Sequence, residues 1–161
     1  MSMSERIRKF LTLPLLLLAS SAWAQEPELL ADVPSAEAAG FQIIDMGARP
    51  SEEYSDLVRR LVADYARSHG VDRPVRSSWA PITLPSGQIL LAVWPLGAEF
   101  DSPDPRGGHL LVYAVQGRVT ELVKEVPAMA VGMNARGDLA TIYETGFGVF
   151  RWSGNTLQEM P

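Results

Sequence analysis

The chain has 161 residues, a formal net charge of −5 and 47% hydrophobic residues, and it contains no cysteine. That length suits one domain with a substantial core. The missing cysteines exclude disulfides, thiolate metal sites, cysteine nucleophiles and acyl-cysteine lipid anchors, and the acidic balance argues against nucleic acid and anionic membrane surfaces as partners.

Arg6, Arg8 and Lys9 form a basic start, the run from Phe10 to Ala19 is almost wholly apolar, and Ala22, Trp23 and Ala24 precede Gln25. A basic region, a short apolar core and a small-x-small site are the layout of a secretory signal peptide. The apolar run falls short of the roughly 20 residues that a membrane span needs. The expectation is a signal peptide over 1–24, cleavage after Ala24, and release into the periplasm without a stable membrane anchor. Cleavage removes three basic residues and one acidic residue, taking the net charge from −5 to −7. The lack of cysteine agrees with a bacterial periplasm. Residues 25–40 are rich in Ala, Glu and Pro without periodicity and read as a flexible leader. Residues 41–161 then form a single domain.

Phe41 to Met46 reads as a first strand, broken by Gly47 to Pro50. The spacing of Tyr54, Leu57, Val58, Leu61, Val62 and Tyr65 predicts a helix over 51–69 with one apolar face. Ser51 serves as its N-cap, Glu52, Glu53 and Asp56 sit near its positive end, and Gly70 stops it. Arg59, Arg60 and Arg67 fall on its solvated side. From Val75 onward the pattern is strands and turns: 75–84, 88–94, 109–115, 118–125, 128–133, 138–144, 147–152 and 155–159. Gly-containing turns between short runs read as an antiparallel meander of hairpins. Ile89, Leu91 and Val93 alternate with Leu90, Ala92 and Trp94; Leu111, Tyr113 and Val115 alternate with Leu110, Val112 and Ala114. Strands apolar on both faces belong in the middle of a layered core, with the helix on one side. The predicted class is α+β: one helix packed on a curled antiparallel β-meander sheet, in the order strand, helix, many strands. That order resembles the cystatin-like arrangement, an analogy of fold that carries no function. Tyr113 to Gly117 and Phe150 to Gly154 share an aromatic-x-x-x-Gly hairpin pattern, which looks like part of a β-propeller blade. The chain is too short for a closed propeller, so these read as two related hairpins, each glycine needing positive φ.

The sequence nominates no catalytic site. No Gly-x-Ser-x-Gly elbow occurs, and Ser86 and Ser153 sit in turns. Lys124 reads as a solvated lysine. His69 and His109 lack ligand spacing, so no metal is expected. Asp101 with Asp104, and Asn134 with Asp138, fall short of a calcium loop. The tripeptide Arg136-Gly137-Asp138 matches an adhesion motif but also suits a tight turn. Gly146 and Gly148 lie in a hairpin, away from any helix that could hold phosphate. No cofactor is expected.

What remains is aromatic and arginine chemistry on the sheet. Trp79, Trp94, Tyr143, Arg151 and Trp152 are the candidate binding residues, since tryptophan and arginine recur at binding hot spots. Arg151 points away from Phe150 and Trp152 and must find a partner or reach solvent. Trp152, as a sheet tryptophan, is expected to contribute more to stability than Arg151. The functional expectation is a non-catalytic exported module (an inhibitor, an immunity-type protein or an envelope accessory) that grips an envelope protein or peptide by a sheet face or edge. The competing expectation is a small-ligand binder or weakly marked hydrolase with a pocket between helix and sheet.

Overall fold

The computed structural model describes residues 32–46, 52–100 and 108–161. The expectations for the signal peptide, the Ser51 cap, the Gly47–Pro50 break and the Asp101/Asp104 loop lie outside the described residues. Among the described residues, two helices, α1 (Val33–Ala38) and α2 (Glu52–Ser68), accompany nine strands. The strands are β1 (Gln42–Ile43), β2 (Ser77–Thr83), β3 (Ile89–Pro95), β4 (Gly108–Gln116), β5 (Val119–Ala128), β6 (Ala130–Met133), β7 (Leu139–Ile142), β8 (Phe147–Ser153) and β9 (Thr156–Glu159). A 3-10 turn covers Ala98–Phe100.

All pairings are antiparallel, and they build two sheets where the sequence predicted one curled sheet. One sheet runs β2-β3-β4-β5 and the other β1-β6-β7-β8-β9. The chain passes between them through Met129 alone, whose N–H already bonds Ile142 O at 2.7 Å. A predicted strand over 128–133 is therefore split by a corner, the device by which a strand changes sheets in a sandwich.

The alternation read from the sequence assigns the layers correctly. Leu90, Ala92 and Trp94 join Leu110, Val112 and Ala114 against Val131, Leu139, Phe150 and Leu157 of the second sheet. Leu91, Val93, Leu111 and Tyr113 face the other way, onto Val58, Val62, Tyr65 and Ala66 of α2. Val58 and Val62 are each 1% exposed. Burying such a side chain contributes about 1.5–3 kcal/mol, so packing rather than intrinsic propensity holds α2 in place.

The far face of the second sheet is covered by α1, inside the stretch predicted as leader. Asp32 caps α1 by accepting from Ser35 N at 3.4 Å, and a proline stands in its first turn. Six residues show no periodicity, yet Ala36 is fully buried with Phe41, Ala140 and Ile142. Tertiary burial stabilises a helix too short to stand alone. Where β1 meets β6, a Cβ on Gly132 would lie 3.2 Å from Gln42 O and Phe41 Cβ, so this close approach favours glycine.

The two similar hairpins join β4 to β5 and β8 to β9, the last hairpin of each four-stranded meander. Gly117 and Gly154 occupy the same turn position with φ of 61° and 64°, as two-residue hairpin loops require. Their tips touch through Gln116 Nε2 and Asn155 Oδ1 at 3.3 Å.

Candidate functional site

An open cavity of about 770 Å³ lies where the hairpin ends of the sandwich meet the start of α2. Glu53 and Tyr54 enter it from the first turn of α2. Ser86, Gly87, Gln88 and Ile89 come from the β2–β3 turn, Val115 and Gly117 from the end of β4, and Trp152 from β8. Positive φ at Gly87 (86°) and Gly117 (61°) lets both turns close tightly around it.

Hydrogen bonds within the wall fix what it presents. Gln88 Nε2 donates to Ile89 O at 2.8 Å and to Val115 O at 3.0 Å, so both amide hydrogens are engaged. Gly87 N–H bonds Leu84 O at 2.8 Å, and Gln88 N–H reaches Ser86 Oγ at 3.4 Å. Burial and the neighbouring Glu53 carboxylate push the Tyr54 hydroxyl above its ordinary pKa. Tyr54, Gln88, Ile89, Val115 and Trp152 are half-buried, and Glu53 is exposed.

Of the five predicted binding residues, only Trp152 lines this cavity. Trp79, 7% exposed, packs under α2, and Trp94, 3% exposed, lies on the opposite face of β3 between the sheets. The Trp94 indole N–H is buried without a partner among the described residues. Tyr143 is half-buried, its hydroxyl 3.1 Å from Thr141 Oγ1. The five positions therefore do not share one surface. Sequence reading missed Glu53, Tyr54 and Gln88. Tyr54 fits the apolar stripe of the helix and Glu53 suits the helix dipole; nothing local says that three hairpin ends converge on that turn.

Arg151 finds its partner in Asp138. Its Nε donates to Asp138 Oδ1 at 2.7 Å and an Nη to Oδ2 at 3.0 Å, while Asn134 Nδ2 adds a bond at 3.0 Å. The Asp138 side chain is 2% exposed. These bonds, led by Arg151, hold its pKa down to about 2 against the cost of burial. The Asn134 to Asp138 segment is a hairpin connection, with Asn134 Oδ1 accepting from the N–H groups of Arg136 and Asp138 at 3.0 Å each. An adhesion motif needs an accessible aspartate; this one is sealed and already paired. Both side chains have a structural place: Trp152 packs against the core between the sheets, and Arg151 neutralises a buried carboxylate. Lys124 is half-buried, its Nζ 4.6 Å from the Phe150 ring centroid.

A second polar cluster ties α2 to the first sheet. A register shift between Val112 and Tyr113 sets Glu125 opposite Leu111, on the helix side. There Tyr65 Oη donates to Glu125 Oε1 at 2.7 Å, and His109 Nε2 stands 2.6 Å from the same oxygen. Tyr65 first, then His109, lower the Glu125 pKa against its desolvation. Tyr65 itself is pushed up by burial and by Glu125. His69 stacks on Tyr65 with ring centroids 4.2 Å apart, and its Nδ1 lies 2.9 Å from Tyr65 O. Both histidines thus gather around one tyrosine, a convergence that the sequence does not reveal. Ser68, the hydroxyl nearest in sequence, donates to Tyr65 O at 2.6 Å and so caps the helix. The cluster is built as a latch between helix and sheet. Among the described residues, no group of three or more His, Asp or Glu could hold a metal ion.

This chain matches no protein-family model, no curated protein and no solved structure. Among the described residues, no helix is long and apolar enough to cross a membrane.

Proposed function

We propose that the chain is an exported, non-catalytic binding module that takes an envelope partner in the cavity at the hairpin end. The observation that carries this reading is the cavity itself. Turns and strand ends build its wall, and its lining includes two aromatic side chains and one carboxylate. Its volume falls in the range of ligand sites, about 300–1,000 Å³. Aromatic anchors held by rigid elements suit binding. Acid–base or nucleophilic catalysis would call for a hydroxyl, base and oxyanion donors in mutual reach, and Ser86 has no histidine beside it in the wall. The export half of the proposal rests on the basic, apolar and small-x-small order of residues 6–24. Two successive antiparallel meanders, one in each sheet and joined through Met129, carry the strand ends that frame the cavity.

The test places a photo-crosslinking residue at Ser86, on the cavity rim, or at Arg60, on the exposed side of α2. A saturable adduct from Ser86 alone, lost when Trp152 becomes Ala, is expected in intact cells. Equal adducts from both positions, or none, would remove the cavity from the proposal. The export half predicts a periplasmic product beginning at Gln25; an uncleaved chain confined to the cytoplasm would refute it.

A further inference from the structure

We infer that the cavity recognises a basic side chain, arginine or lysine, carried on a peptide segment of the partner. This rests on the binding reading above and narrows it to one chemistry. The donors and acceptors of the wall favour a cation. The donors of its β2–β3 turn are engaged internally: both hydrogens of Gln88 Nε2, the N–H of Gly87 and the N–H of Gln88. Its lining also carries acceptors: the Glu53 carboxylate, which the Tyr54 hydroxyl hydrogen-bonds, the Gln88 side-chain carbonyl and the Tyr54 hydroxyl oxygen. The neutral donors set against them are the Ser86 hydroxyl and the Trp152 indole N–H.

The π-faces act in the same direction. Tyr54 and Trp152 attract a cation by the ring quadrupole, and a guanidinium stacks on them better than any anion. Ile89 and Val115 supply apolar surface for the aliphatic stem of the side chain. The start of α2 contributes roughly half a positive elementary charge, but Glu52 and Glu53 both stand in that first turn and outweigh it. Arg118, beside Gly117 in the turn, is not part of the wall. The net charge of −5 adds long-range attraction for a cation. The volume of about 770 Å³ greatly exceeds an ammonium group, which favours a side chain entering with part of its backbone over a small free cation.

The experiment titrates the full chain with fluorescein-labelled pentapeptides, Gly-Gly-X-Gly-Gly, where X is arginine, its neutral isostere citrulline, or glutamate. The arginine peptide should bind about tenfold more tightly than the citrulline peptide, as one charge-assisted bond implies. Glu53→Gln, an exposed and conservative change, should erase that preference without moving the melting temperature. Equal affinity for arginine and citrulline, both lost in Trp152→Ala, would overturn the cationic assignment while leaving a binding cavity. No binding by any peptide would overturn the assignment, with the crosslink at Ser86 then deciding the binding reading separately. Free arginine amide binding as tightly as the peptide would overturn the peptide part.

Discussion

Asp138→Asn is the sharpest test of how the second sheet is held together. The substitution keeps the shape of the side chain and removes its charge. In the native chain the carboxyl pKa falls from 3.8 to about 2, chiefly through the Arg151 hydrogen bonds. Such a depression corresponds to about 2 kcal/mol. The Arg151 side chain is 44% exposed, and water around it screens the pair, so about 1–2 kcal/mol is expected at neutral pH. The sign follows from the direction of the shift. A carboxyl whose folded pKa lies below its unfolded value contributes stability above the unfolded value and loses it as pH falls through the folded one. The difference between native and Asp138→Asn should therefore be full above about pH 4–5 and vanish toward pH 2. Urea midpoints measured across that window provide the assay. Arg151→Ala should destabilise more than Asp138→Asn, since it leaves a buried anion with fewer partners, whereas a released Arg151 simply returns to water. A difference independent of pH, or Arg151→Ala milder than Asp138→Asn, would refute the reasoning.

Tyr65→Phe should cost about 1 kcal/mol and let the Glu125 pKa rise toward its ordinary value, checked by urea denaturation and by an NMR titration of Glu125; an unchanged Glu125 curve would remove the latch. Burial and Glu125 raise Tyr113 to about 12; a raised pKa means stability present below the unfolded value and lost as pH rises between about 10 and 12, visible as a late phenolate absorbance step coupled to unfolding. Gly137→Ala should destabilise more than Gly117→Ala. Both need positive φ, but a Cβ on Gly137 would lie 2.5 Å from Pro85 Cδ and one on Gly117 meets nothing within 4 Å; equal melting temperatures would contradict this.

Much of the layering was legible because it depends on local alternation. The parity of Leu90 against Leu91, and of Leu110 against Leu111, is visible in a few residues and survives into two separate cores. The helix over 52–68 was equally plain, since its stripe from Tyr54 to Tyr65 repeats over about three turns. The division into two sheets was not, because Ala128 to Met133 is apolar throughout and nothing in it announces a corner at Met129. The α1 helix escaped because its stabilising contact, Ala36 on Ala140 and Ile142, is remote in sequence. The cavity and the Tyr65–Glu125–His109 latch were hidden for a related reason. Each depends on elements that meet only after folding, and the latch also on a one-residue shift within β5 that no pattern signals. Trp152 was reachable from residue type alone; Tyr54 and Glu53 each had a sufficient local explanation that concealed their shared position.

The pairing order carries a consequence for the time course of folding. Every strand pair except β1 with β6 joins neighbours along the chain. Hairpins of that kind form on the scale of about 1–10 μs, and chains rich in local contacts fold fast. Gln42 and Ile43 instead wait for Met133 and Gly132, so loop closure over most of the domain precedes their reward. The N-terminal segment with α1 and β1 should dock late on the way in and detach early on the way out. Ala36→Asp would then speed unfolding while leaving the folding rate nearly unchanged; stopped-flow mixing reads both rates, and a slowed folding limb would place this seam in the nucleus instead.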